Sequence, residues 1–206
     1  MARVKICGIK TMEEVDIINK YRPDFVGFIF AESKRKVSVE NAKSMCESID
    51  KGIRKVGVFV NAGFKNALYT ADYCGLDVVQ LHGDESPELL IEFMRSPFEI
   101  WKVIRVKDIS DIKEIKKFSA DRVLLDTFSQ KAYGGTGKTF DWELALEAKK
   151  YKSIILSGGL NNENVKKAVE MVKPYAVDAS SSLEEEGFKT DTRVSEFIKA
   201  VRGKRN

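Results

Sequence analysis

The chain has 206 residues, 43% hydrophobic and 32% charged, which is typical of a globular domain. Its 35 basic and 31 acidic residues are interspersed and leave a net charge of +4, so no basic stripe predicts a nucleic-acid partner. The N-terminal segment lacks a secretion signal, no stretch approaches the roughly 18 apolar residues of a membrane span, and the cysteines form neither a disulfide framework nor a zinc motif. We therefore expect a cytoplasmic protein without a membrane partner.

Short apolar segments alternate with amphipathic helical patterns along the chain. Val165, Ala168 and Val172, for example, recur at the spacing of one helix face, and Thr11 with Glu14 has the pattern of a capping box. The predicted strands, in chain order, are Arg3–Cys7, Asp24–Phe30, Arg54–Val60, Leu76–Leu81, Glu99–Arg105, Asp121–Asp126, Ser153–Leu156 and Tyr175–Asp178.

Eight strand–helix units with nearly continuous apolar strands predict a parallel sheet covered by helices. Eight strands close a (β/α)8 TIM barrel, whereas an open doubly wound sheet usually has about five or six. We predict an α/β fold, a single (β/α)8 barrel over residues 1–206. The longest strand-to-helix connections follow the second, sixth and eighth strands, at the catalytic face of a barrel, which favours an enzyme.

The glycine-rich stretch YGGTGKTFDW, residues 133–142, resembles the phosphate cradle of an ATPase. A Walker A motif would need glycine where Ala132 stands, and a strand immediately before it. The sixth strand is predicted to end earlier, near Asp126. We predict instead a lid hinged at its three glycines, with Lys138 contacting either substrate or solvent.

Two neighbouring loops combine glycine with serine. Ser157, Gly158 and Gly159 follow the seventh strand, and Ser180 and Ser181 follow the eighth. Barrels often bind a phosphate group with the backbone N–H groups of these two loops, which glycine allows to approach closely. Although SGGL alone could be a simple turn, the pair of loops predicts a phosphate site.

Reactive side chains stand at predicted strand ends. Cys7 ends the first strand, and alternation places Lys5 on its side, where a positive charge would favour the thiolate over the ordinary pKa of ~8.5. Asp126 and Asp178 end the sixth and eighth strands, where each carboxyl group could act as a general acid or cap a loop. Cys7 could also be only a small buried side chain.

Three further polar residues lie in strand-to-helix loops or just before them. Arg35 suits a substrate carboxylate because its guanidinium binds two oxygens, although SKRK could equally be a solvated basic loop. His82 is the single histidine and follows Gln80 at the end of the fourth strand. It either packs the loop or contacts a substrate, and no second histidine is available for a metal site.

The ordered motifs KICGI, VGVFV, QLHG, LLDT, YGGTGKTFDW, LSGGL and VDASS together resemble the phosphoribosylanthranilate isomerase family of tryptophan biosynthesis over nearly the whole chain. The resemblance implies a barrel without cofactor or metal, either monomer or homodimer. It also implies a small-molecule substrate, phosphoribosylanthranilate, which undergoes an Amadori rearrangement to 1-(2-carboxyphenylamino)-1-deoxyribulose 5-phosphate.

The resemblance also implies a role for each matching residue. Cys7 would be the general base, Asp126 the general acid, and Arg35 the ligand of the anthranilate carboxylate. The remaining expected contacts are Gln80, His82 and Asp178 for the substrate, and Gly158, Gly159, Ser180 and Ser181 for its phosphate.

The chain departs from the family pattern after the eighth strand, where Ser182 replaces a glycine and Ala179 a valine. If that glycine needs a positive φ, Ser182 would strain the turn and alter phosphate affinity.

The same residues bear on other functions. Indole-glycerol-phosphate synthase would need lysines at strand ends, but Lys5 and Lys102 lie inside predicted strands, and a ribulose-phosphate epimerase would need metal-binding histidines. Ala132 disfavours a nucleotide- or nucleic-acid-binding module. A binding protein without catalysis, and a second aminoaldose substrate from histidine synthesis, stay open.

Overall fold

The computed structural model describes residues 1–128 and 139–203. Eight parallel strands close into a barrel in chain order, with β8 pairing with β1. These strands are β1 Arg3–Cys7, β2 Phe25–Ile29, β3 Arg54–Phe59, β4 Val78–Leu81, β5 Glu99–Val106, β6 Arg122–Thr127, β7 Ile154–Leu156 and β8 Ala176–Ala179. The predicted barrel is confirmed, and the strand ends differ from prediction by at most two residues.

Helices follow the strands and cover the barrel. They are α1 Met12–Tyr21, α2 Val39–Ser48, α3 Phe64–Tyr73, α4 Pro87–Phe93, α5 Ile109–Glu114, α6 Trp142–Ala148, α7 Val165–Val172 and α8 Asp191–Arg202. The loop after β8 contains a 3-10 turn, Ser181–Leu183, and a short hairpin of β9 Glu184–Glu185 and β10 Phe188–Lys189.

Local signals explain most element boundaries. Thr11 caps α1 in a capping box with Glu14, as predicted. β4 begins at Val78 rather than at the predicted Leu76, because the Leu76 N–H still donates to Ala71 O of α3 at 2.9 Å. That bond belongs to the helix C-terminus, which the apolar pattern alone does not distinguish from a strand start.

The side chains inside the barrel change from apolar to polar along the barrel axis. Near the strand starts it is filled by an apolar cluster that includes Phe25 and Trp101, whose rings meet edge to face at 5.0 Å. Towards the strand ends, buried polar side chains such as Lys5, Gln80 and Asp126 replace the apolar ones. The apolar half closes the barrel, so the polar half forms the floor of a site at the carboxyl ends of the strands.

Candidate active site at the carboxyl ends of the strands

Cys7 lies at the end of β1 beside a buried ion pair. The Lys5 ammonium, fully buried, donates to Asp178 Oδ1 at 2.9 Å, and its charge also acts on the Cys7 thiol. The predicted alternation on β1 is therefore confirmed. Gly27 on β2 makes room for the thiol, because a Cβ there would lie 2.8 Å from Cys7 Sγ.

The pKa of Cys7 does not follow the sequence-based expectation. Burial raises the pKa of the thiol above its ordinary value, and the nearby Lys5 ammonium lowers it by less. We expect the lysine to favour the thiolate, and its charge does lower the pKa. Desolvation of the buried thiolate outweighs this attraction, so the net shift is upward.

Asp126, at the end of β6, is the centre of a second polar group. Its Oδ1 accepts a hydrogen bond from the Thr127 N–H at 2.8 Å. His82 Nε2 lies 3.4 Å from Asp126 Oδ2, without the alignment of a hydrogen bond. Gln80 Nε2 lies 3.3 Å from His82 Nδ1, which links the three side chains in one row. His82 therefore faces the site.

Two buried polar atoms of this row have no hydrogen-bond partner among the described residues, Gln80 Oε1 and His82 Nε2. Buried polar atoms are normally paired, so atoms left unpaired where a ligand would lie are typical of a binding site. The Lys5–Asp178 pair and the row of Asp126, His82 and Gln80 also interact, because the charge of Asp126 raises the pKa of Asp178. Burial raises the pKa of Asp178, although Lys5 opposes that rise.

The loop after β7 needs both of its glycines. Gly158 and Gly159 have φ values of +84° and +66°, which favour glycine. A Cβ on Gly158 would lie 2.3 Å from Thr127 Oγ1 and 3.1 Å from Asp126 Oδ1. This loop therefore packs directly against the predicted acid, and its predicted contact with phosphate stays a prediction.

The loop after β8 contacts its neighbours through serine hydroxyls. Ser180 Oγ donates to Cys7 O at 2.8 Å, and Ser181 begins the 3-10 turn. Ser182 Oγ donates to Leu160 O at 2.6 Å. Ser182 is not one of the described non-glycine residues that have a positive φ. The expected strain at Ser182 does not arise, because its backbone belongs to the 3-10 turn.

Arg35 is held by a partner that the sequence analysis missed. Its Nε and Nη2 donate to the two carboxylate oxygens of Glu184, at 2.6 and 2.8 Å, and Lys189 also contacts that carboxylate. Burial raises the pKa of Glu184, but these two cations outweigh burial and hold the pKa below its ordinary value. A Cβ on Gly8 would lie 2.6 Å from Arg35 Cδ, so the arginine lies closely across that glycine.

This setting distinguishes Arg35 from its neighbour Lys36, whose more exposed side chain pairs with Glu32. The solvated-loop interpretation therefore does not describe Arg35. An acidic residue in the loop after β8 was a visible signal, but nothing in the sequence paired it with residue 35.

The glycine-rich stretch lies partly outside the described residues, which include only its last four positions. β6 ends at Thr127, well before Gly137 in the sequence, and α6 begins at Trp142, capped by Asp141. This spacing agrees with the rejection of a Walker A motif. The predicted lid and the role of Lys138 stay predictions.

Among residues 1–128 and 139–203, no group of three or more His, Cys, Asp or Glu side chains is arranged to hold a metal ion. The same residues include no helix of the length and apolar character needed to cross a membrane.

A closed parallel barrel with acidic, thiol and imidazole groups at the carboxyl ends of its strands defines a (β/α)8-barrel enzyme. The family model described as N-(5'-phosphoribosyl)anthranilate (PRA) isomerase matches residues 4–200. The chain belongs to this family, and it is an isomerase of the aldose–ketose type.

Individual relatives agree with this assignment. The N-(5'-phosphoribosyl)anthranilate isomerase of Thermoanaerobacter sp. (strain X514) is 45% identical over 203 residues, covering 98% of this chain and 99% of the relative. The crystal structure of phosphoribosyl anthranilate isomerase from Thermotoga maritima has a TM-score of 0.90 and 38% identity, covering 98% of this chain and 100% of that one. A crystal structure of phosphoribosyl anthranilate isomerase in complex with reduced 1-(o-carboxyphenylamino)-1-deoxyribulose 5-phosphate has a TM-score of 0.86 and 36% identity, with coverage of 98% and 100%.

Proposed function

We propose that this protein converts N-(5-phosphoribosyl)anthranilate into 1-(2-carboxyphenylamino)-1-deoxyribulose 5-phosphate, a cofactor-free Amadori rearrangement in tryptophan biosynthesis. Asp126 is the general acid and Cys7 the general base. The observation that carries this proposal is the arrangement of a thiol and a carboxyl group at the mouth of one barrel, on strands β1 and β6, which β7 and β8 separate. Acid and base act on different atoms of the substrate, so groups on two sides of the mouth suit the reaction.

The reaction proceeds in three proton-transfer steps. Asp126 donates its proton to the furanose ring oxygen while the bond from that oxygen to C1 breaks, and the amine nitrogen lone pair forms the C1–N double bond of a Schiff base. The Cys7 thiolate then removes the proton from C2. The C2–H electron pair forms the C1–C2 double bond of the enolamine while the π pair of the C1–N double bond returns to nitrogen. Transfer of the hydroxyl proton from C2 to C1 through the site gives the ketone, so no external oxidant or reductant is required.

Binding groups at both ends hold the reacting centre between the acid and the base. Arg35, whose guanidinium is positioned by its ion pair with Glu184, binds the anthranilate carboxylate. Gly158, Gly159, Ser180 and Ser181 bind the phosphate through the loops after β7 and β8. Gln80, His82 and Asp178 contact the sugar, and the unpaired Gln80 Oε1 supports this role.

The proposed activity is tested by the fluorescence of phosphoribosylanthranilate, which should be consumed when the purified protein is added. Treatment with a chelator should leave the rate unchanged, because no step uses a metal. A wild-type protein that leaves the fluorescence unchanged would refute the proposed function. We further propose a single cytoplasmic domain that is either a monomer or a homodimer, to be decided by sedimentation equilibrium.

Replacing Arg35 with methionine should raise KM about 10- to 100-fold and change kcat less, because a charged hydrogen-bonding pair to the substrate contributes on the order of 1.5–3 kcal/mol. Steady-state kinetics measure both constants. Lys36→Met is the matched control, since this neighbouring lysine pairs with Glu32 at the surface. An unchanged KM in Arg35→Met would limit Arg35 to its structural contact with Glu184.

Replacing Lys5 with methionine should move the acidic limb of the kcat/KM profile to higher pH. The active form of Cys7 is the thiolate, so the rate rises as pH passes upward through the pKa of the thiol. Lys5 lowers that pKa, and Asp178 raises it by less. Removing the ammonium therefore raises the pKa further, and more alkaline conditions are needed for the same rate.

The control for this prediction is Lys5→Arg, which keeps a positive charge and should keep the limb closer to its original position. If Lys5→Met leaves the limb unmoved, Lys5 does not tune Cys7.

A further inference from the structure

A buried ion pair lies under the loop between β4 and α4, and the proposed mechanism does not use it. Lys102 Nζ lies 2.7 Å from Glu85 Oε2, and both side chains are almost fully buried. Lys102 alternates with Trp101 and Val103, which belong to the interior cluster of the barrel, so it leaves β5 on the outer side. The pair is therefore outside the substrate site but adjacent to it.

Lys102 and Glu85 both form hydrogen bonds with the backbone of Gly83, the residue that follows His82. Lys102 Nζ donates to Gly83 O at 2.7 Å, and Glu85 Oε1 accepts from the Gly83 N–H at 3.0 Å. The same carboxylate oxygen accepts from the Asn61 N–H at 3.1 Å, which ties the loop to the end of β3. Both polar groups of the Gly83 backbone are thus bound by one buried pair.

The surrounding contacts leave the loop little freedom. The His82 N–H donates to Phe59 O at 2.8 Å, and the Asp84 N–H donates to Asn61 Oδ1 at 2.8 Å. A Cβ on Gly83 would lie 2.3 Å from Asn61 Oδ1 and 2.7 Å from Glu85 Oε1. Glycine is required there by this close approach, and the imidazole that precedes it is placed by the same contacts.

Stability alone is a weak reason for burying such a pair. The desolvation of two charges often exceeds their mutual attraction, and burial indeed holds the pKa of Lys102 below its ordinary value despite Glu85. A well-packed apolar pair could be equally stable, but it could not bind the Gly83 N–H and C=O groups. The ion pair therefore differs from an apolar pair at the same positions in the hydrogen bonds that it forms with the loop.

We propose that Lys102 and Glu85 are positioning residues that hold His82 against Asp126 through the backbone of Gly83. The inference rests on the proposed role of Asp126 as proton donor. Gln80 Nε2 lies 3.3 Å from His82 Nδ1 on one side of the ring, and His82 Nε2 lies 3.4 Å from Asp126 Oδ2 on the other. Movement of the loop would change this separation and with it the proton transfer at Asp126.

The test compares Lys102→Met with the double variant Lys102→Met/Glu85→Gln. The single variant leaves a buried carboxylate without its cation, whereas the double variant is neutral and keeps an oxygen for the Gly83 and Asn61 N–H groups. Neither variant has a cation to donate to Gly83 O. Lys117→Met is the control, because its ion pair with Glu114 is exposed and remote from the loop in sequence.

Because His82 is the only histidine, selective 15N-histidine labelling gives the ring signals of this residue alone. We expect kcat to fall about 10- to 100-fold in Lys102→Met, with KM changing less than about threefold, and the His82 ring signals to move. In the double variant the thermal midpoint should recover relative to the single variant, while kcat stays low and the signals stay displaced. Lys117→Met should match the wild type in kcat, KM, thermal midpoint and His82 ring signals.

The inference is overturned if kcat recovers together with thermal stability in the double variant, because the pair would then be only structural. It is also overturned if the His82 ring signals and kcat of either folded variant match the wild type. Should Lys102→Met not fold, the double variant provides both measurements. A wild-type protein without isomerase activity would instead refute the proposed function, and the His82 signals would still test the positioning.

Discussion

Cys7→Ala should lower kcat by about 10²–10⁴ without unfolding the barrel, because it removes the base that takes the C2 proton. The substitution deletes one buried sulfur beside Gly27 and leaves the Lys5–Asp178 ion pair in place. Binding contacts at both ends of the substrate remain, so KM should change much less than kcat. Steady-state kinetics together with a thermal melt provide the measurements.

Cys46→Ala is the matched control for that variant. Cys46 is buried on α2, and burial raises its pKa to about 12, so it is an inert thiol of the helical layer. Its removal should leave kcat near the wild-type value. Near-normal turnover by Cys7→Ala would remove Cys7 from the mechanism.

Asp126→Asn should also lower kcat by about 10²–10⁴, because the amide has the shape of the carboxyl group but cannot protonate the ring oxygen. Its oxygen can still accept from the Thr127 N–H, so the end of β6 should keep its structure. Asp121→Asn is the control. That carboxylate lies just before the same strand and accepts from the Ile100 N–H at 2.7 Å, far from the strand ends.

Deuterium at ribose C2 separates the two roles. In Cys7→Ala the removal of that proton should limit the rate, so the kinetic isotope effect should be large. In Asp126→Asn ring opening should limit the rate, and the isotope effect should approach one. Equal isotope effects in the two variants would contradict the assignment of base and acid to these residues, and normal turnover by Asp126→Asn would exclude Asp126.

Local signals in the sequence were sufficient for the architecture. The alternation of apolar segments with helical periodicity repeats eight times, and eight parallel strands have a closed arrangement that satisfies every strand edge. Prediction was least accurate at boundaries such as Leu76, where a helix end and a strand start share one apolar pattern. The residues of the candidate site could also be predicted, because parallel strands bring the side chains at their carboxyl ends to one face of the barrel.

Features that depend on long-range contacts could not be predicted in this way. The sequence placed Lys5 beside Cys7, but the direction of the pKa shift depended on how deeply the fold buries the thiol. It indicated a turn at Ser182, but not that the backbone there is a 3-10 turn without positive φ. In both cases the local pattern was predicted correctly. The direction of the Cys7 pKa shift and the absence of backbone strain at Ser182 were not.

The sequence by itself determined the barrel, the family, and which side chains stand at the strand ends, because period, strand number and ordered motifs are properties of the chain. Only the tertiary structure decided the partners: Glu184 for Arg35 and Glu85 for Lys102. Arg35 and Glu184 are 149 positions apart. Burial, which sets the cost of every charge in the site, likewise exists only once distant strands close the barrel around it.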